Sequence, residues 1–142
     1  MTDAGPATHR QLDFDLFIAA SPSTVWQFWV DPDRMCEWWG TEAELDPRPG
    51  GIYRVAMSAD GPVMSGTYVE LQPCERLVFL FGWEDASLAV RPGSTRVEVT
   101  MRPERDGTRL QLRHTDLPAA STEAHRDGWE HFLDQLVDIA GR

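Results

Sequence analysis

The stretch "HRDGWEHFLDQLVDIAGR" at the C-terminus constrains the fold more than any other. Trp129, Phe132, Leu133, Leu136, Val137 and Ala140 recur at steps of three and four with acidic residues between them, which lays one apolar stripe along an α-helix. A helix from about Thr122 to Ala140 is roughly 28 Å long, and its stripe needs an equally long partner. The upstream chain offers a sheet. Gly128 lies inside this helix at a cost of about 1 kcal/mol relative to alanine, so a close backbone approach to a neighbour is expected there.

"QLDFDLFIAA" alternates Leu12, Phe14, Leu16 and Ile18 with Asp13 and Asp15, the period of a half-buried strand. "SPSTVWQFWV" then starts a helix, with Ser21 as N-cap, Pro22 in the first turn and Val25, Phe28 and Trp29 on one face. A second short helix follows Asp31-Pro32 and is expected to end at Gly40. From there to about residue 115 the texture is strand and turn. Pro49-Gly50-Gly51 divides "AELDPRPGGIYRVAM" into two strands, and "VMSGTYVEL", "RLVFLFGW", "TRVEVTMR" and "TRLQLRHT" supply four more, the last two joined by a turn placed at Asp106-Gly107. The expected class is α+β: a curved antiparallel sheet wrapped around one long C-terminal helix, with two short helices after the first strand.

A length of 142 residues fits one domain. Residues 1–9 read as a flexible tail and 10–142 as a single domain. A formal charge of -10 repels phosphate backbones and anionic lipid, so neither nucleic acid nor membrane is expected as a partner. The chain has no lysine and no asparagine, which removes Schiff-base and phosphate-loop lysines. Cys36 and Cys74 form no CxxC pair, and they read as free thiols. The N-terminal residues lack the apolar core of a signal peptide, and a cytoplasmic location is expected.

No histidine or cysteine spacing supports a metal site: His125 and His131 fall on different sides of a helix, and His9 belongs to the expected tail. No nucleophile elbow is present, so no catalytic residue is assigned. Arg54, Tyr68 and Glu70 read as polar groups on solvated strand faces. No cofactor is expected.

The inward faces of the strands are more telling. Tyr53, Val55 and Met57 share one face of the third strand, and Phe79, Phe81 and Trp83 one face of the fifth. On the next two strands the same logic selects Val97, Val99 and Met101, then Leu110, Leu112 and His114. Trp129, Phe132 and Leu133 of the helix lie opposite. These residues either close-pack into a dry core or surround a cavity. His114 interrupts an apolar series, and His125 precedes Trp129 by one helical turn; either imidazole could hydrogen-bond a ligand, or be a satisfied structural group. Neighbouring residues on a helix diverge by about 100°, so of the pair Trp38-Trp39 one indole is expected in the core and the other on the rim of an opening, with Trp39 assigned to the rim.

Five segments in series carry a resemblance over about residues 12–140: "SPSTVWQFWVDPDRMCEWWG", "RPGGIYRVAM", "GTYVELQPCERLVFLFGWE", "DGTRLQLRHTDLP" and "HRDGWEHFLDQL". In this order the chain resembles the helix-grip fold of the START-like superfamily, also called SRPBCC, and particularly the branch named for the C-terminal domain of the activator of heat-shock-protein ATPase. The resemblance implies a cavity between sheet and helix for an apolar or amphipathic small molecule. It leaves open a cyclase-like small-molecule enzyme, a chaperone-associated interaction module with a chaperone partner, and a homodimer. Fold alone does not choose among these.

Overall fold

The computed structural model describes residues 9–85 and 87–142. Its elements follow the expected order. Strand β1 (His9–Ile18) leads through helices α1 (Pro22–Val30) and α2 (Pro32–Trp38) to β2 (Glu42–Leu45) and β3 (Ile52–Ala56); β4 (Val63–Gln72), β5 (Arg76–Phe81), β6 (Thr95–Glu104) and β7 (Gly107–Pro118) follow, and α3 (Thr122–Ala140) closes the chain. The seven strands form one sheet in the order β1-β7-β6-β5-β4-β3-β2, every neighbouring pair antiparallel. The long β1–β7 pairing thus carries the first strand back to the last. Register irregularities between Arg10 and Leu12 and between Tyr68 and Glu70 bend the sheet where bulges would.

The expected tail lies outside the described residues except for His9, which opens β1 opposite Pro118. Ser21 caps α1 through its Oγ, which accepts from the Thr24 N–H, and Asp31 caps α2 by accepting from the Asp33 N–H. The turn between β6 and β7 is Arg105-Asp106 rather than Asp106-Gly107, since Glu104 already pairs with Gly107. Arg105 takes the positive φ of 54°. Gly107 is required for another reason: a Cβ there would lie 2.2 Å from the Ile18 carbonyl oxygen of the neighbouring strand.

The two faces of the sheet differ as the alternation demands. The outer face carries ion pairs such as Arg113–Asp13 at 2.9 Å, Arg109–Asp15 at 3.2 Å and Arg76–Glu98 at 2.9 Å. The inner face is apolar, and α1, α2 and α3 close it.

Candidate functional site

Helix α2 stops at Trp38, and Trp39 has the extended dihedrals φ -143° and ψ 106°. The 100° rule therefore does not apply to the tryptophan pair, and the expectation of one inner and one rim indole is corrected: both are buried, with ring centroids 5.3 Å apart. Trp38 donates its indole N–H to the Phe28 carbonyl at 2.8 Å, tying α2 to α1. Trp39 reaches further, stacking on Phe81 of β5 at 6.3 Å and 7° and lying 5.2 Å from Trp129 of α3.

Trp39, Phe81 and Trp129 form the inner wall of a cavity of about 220 Å³. Trp83 beyond β5, together with His125 and Phe132 of α3, continues the wall. Pro62, Leu88, Ala124 and Gly128 complete it, and Leu88, 38% exposed, stands at its mouth. No lining residue carries a permanent charge. Six of the fifteen sequence-assigned pocket residues line this space: Trp39, Phe81, Trp83, His125, Trp129 and Phe132.

The other nine do not. Tyr53 and Phe79 are fully buried and stack on each other at 4.1 Å, which fills the volume beneath Trp39. Val55, Val99, Met101, Leu112 and Leu133 are buried in the same close-packed core, and Met57 packs against its edge half-exposed. His114 sits one layer behind the wall and is also fully buried. Pro62 and Leu88 lie in connections between strands, where no periodic signal marks an inward side chain.

Gly128 corrects a second expectation. A Cβ at this position would meet no heavy atom within 4 Å, so no neighbouring backbone approaches it. The glycine faces open cavity instead.

Hydrogen bonds fix both histidines in one state. The Trp129 indole, which can only donate, gives its N–H to Nδ1 of His114 at 2.9 Å. Thr95 Oγ1 donates to the Phe81 carbonyl at 2.7 Å and is 2.8 Å from Nε2 of His114. The threonine proton is thus committed, and the imidazole must donate from Nε2. Burial, with a smaller contribution from nearby His125, pushes the His114 pKa from its ordinary 6.5 down to about 3. His114 is a neutral structural group with both nitrogens satisfied.

His125 has the opposite tautomer. Its Nδ1 lies 2.7 Å from the Ser121 carbonyl, an acceptor only, so Nδ1 carries the proton; Nε2 accepts the Trp83 indole N–H at 3.0 Å. Burial lowers its pKa, against the Ser121 bond, which favours the charged form.

Of the other polar groups, Tyr68 is buried and its hydroxyl donates to the Trp29 carbonyl at 3.3 Å, which corrects its assignment to a solvated face. Arg54 makes a two-bond ion pair with Glu84, and Glu70 pairs with Arg76. Among the described residues no group of three or more His, Cys, Asp or Glu is placed to hold a metal ion, and no helix is long and apolar enough to cross a membrane.

An antiparallel sheet closed by one long helix over an aromatic cavity defines a helix-grip protein. Residues 19–141 match the model of the family described as Activator of Hsp90 ATPase homolog 1-like protein, and the chain belongs to that family. It is similar to an AHSA1-like protein of Rhizobium etli at 37% identity, with a TM-score of 0.73 and coverage of 99% of this chain and 87% of that one. A protein from Chromobacterium violaceum is 26% identical with a TM-score of 0.80, covering 93% and 97% of the two chains. The Aha1 dimer from Colwellia psychrerythraea, 18% identical over 93% and 96% of the chains with a TM-score of 0.76, shares the fold. No curated protein matches the sequence.

Proposed function

We propose that the protein binds a small apolar or amphipathic molecule in the cavity between the sheet and α3. Gly128 carries this reading. Alanine there would stabilise the helix by about 1 kcal/mol, and its Cβ would clash with nothing. Local stability is thus lower than it need be at a position whose one evident effect is to leave the cavity open. The aromatic, uncharged lining supports the same conclusion, because such walls favour neutral apolar surface.

The test compares wild type with Gly128→Leu, a side chain that enters open space. Burying roughly 300 Å² of apolar surface is worth several kcal/mol before ordering costs, so an environment-sensitive apolar dye should bind wild type with micromolar affinity. The variant should melt no lower and lose binding at least about tenfold, the equivalent of ~1.4 kcal/mol. Equal binding by both would place the site elsewhere. A stable complex with a heat-shock ATPase chaperone, formed equally by both proteins, would favour the interaction-module reading instead.

A further inference from the structure

Trp83 and His125, both on the cavity wall, share a hydrogen bond of 3.0 Å. Its two ends have opposite and fixed polarity. An indole N–H can only donate. His125 Nε2 can only accept, because the ring's one proton is held on Nδ1 by the Ser121 carbonyl 2.7 Å away. Both residues line the cavity, and the Trp129 N–H is directed away from it to His114.

We infer that the cavity takes a neutral, hydroxyl-bearing aromatic molecule of about two rings, whose hydroxyl inserts between Trp83 Nε1 and His125 Nε2. The proposal rests on the cavity being a binding site. A hydroxyl accepts one hydrogen bond and donates another through a single oxygen, so it satisfies both ends at once in the space of one atom. An ether or ketone would take the Trp83 proton and leave His125 Nε2 unpaired in an apolar wall. A carboxylate would do the same and bring an uncompensated charge among uncharged residues. Insertion requires the pair to part from 3.0 Å to about 5 Å, the span of two hydrogen bonds of ordinary length around one oxygen. The Trp83 side chain, partly exposed beyond the end of β5, supplies that movement by rotation, while its backbone stays held by the bridge to Met64 and by the N–H it donates to the Val90 carbonyl at 2.7 Å.

Size follows from volume. An apolar cavity of ~150 Å³ accommodates benzene, so about 220 Å³ leaves room for a second fused ring.

Isothermal titration of the intact chain at pH 7 with 2-naphthol, naphthalene, 2-methoxynaphthalene and 2-naphthoate tests the inference. The naphthol should bind about three- to tenfold more tightly than naphthalene or its methyl ether, the gain of roughly one net hydrogen bond, and naphthoate should bind weakest. Trp83→Phe keeps the ring and removes the donor; it should retain naphthalene binding and lose most of the hydroxyl preference. Should that variant fail to fold, the comparison of naphthol with its ether on wild type decides alone. Equal affinity for naphthol and naphthalene, or tightest binding of naphthoate, overturns the hydroxyl assignment while leaving the cavity as a binding site. If none of the four binds, the cavity reading itself fails and this inference falls with it.

Discussion

Trp129 of the long helix donates its indole N–H to Nδ1 of His114 on the last strand, at 2.9 Å and with both residues buried. Helix and sheet are thus joined across the core by a directional bond as well as by packing. The bond also commits His114 to holding Trp129 in place, so Trp129 can serve as cavity wall without offering the cavity its own polar group.

Replacing His114 with leucine should therefore cost stability and leave ligand choice alone. The Trp129 N–H would be left unpaired in an apolar setting, a loss of about 1 to 3 kcal/mol. Urea unfolding should show that loss. Polar-headed and wholly apolar probes should weaken alike, since His114 does not line the cavity.

The same buried imidazole makes stability depend on pH. Its folded pKa of about 3 lies below its ordinary 6.5, so the unfolded chain binds the extra proton first. The stabilisation is fully present above about pH 6.5 and declines as pH falls toward 3, with a slope of up to roughly 1.4 kcal/mol per pH unit for one group. His125 acts in the same direction. Carboxylates such as Glu84 and Glu98, whose pKa values are lowered from 4.5, keep their stabilising contribution across this range and lose it only as pH falls further. Urea midpoints between pH 6.5 and 5 should accordingly fall for wild type and much less for His114→Leu.

Trp129→Ala removes both the bond and a large aromatic side chain that is 4% exposed. A destabilisation of about 3 to 5 kcal/mol is expected. A loss under about 1 kcal/mol by denaturant titration would contradict the packing of α3 on the sheet.

Two glycines should respond oppositely to alanine. Gly128→Ala should raise stability by about 1 kcal/mol, because the new methyl enters open space on a helix. Gly107→Ala should lower it by about 1 to 3 kcal/mol, since its methyl would collide with the Ile18 carbonyl. Thermal melts of the two variants check the pair.

Much of the fold was legible along the chain. The apolar period of three and four marked α3 over Thr122–Ala140, the bounds the structure has, and alternation in most segments, with turn residues between them, marked the strands. Caps were legible because Ser21 and an Asp-Pro pair act within a few residues of themselves. Errors arose where a local rule met a change of backbone direction. On a helix Trp38 and Trp39 would diverge by about 100°, but the helix ends between them and both indoles turn inward. Gly107 looked like a turn residue, whereas its role comes from β1, which is remote in sequence.

The sequence by itself determined most of the inward-facing residues, since periodicity is a property of the chain's own geometry; Tyr68, beside the register shift before Glu70, escaped it. Whether facing side chains meet was decided only by the tertiary structure. Tyr53 and Phe79 close on each other and fill their space, while Phe81, Trp83 and Trp129, inward by the same rule, stand around a gap. The difference depends on sheet curvature, on the reach of Trp39 from α2 and on the missing side chain at Gly128, which are distances between segments far apart in the chain. Histidine chemistry was decided at the same level. His125 has its tautomer set by Ser121 one turn away, but His114 does not, and each imidazole accepts an indole N–H from another element; those two bonds separate a structural imidazole from one that faces the cavity.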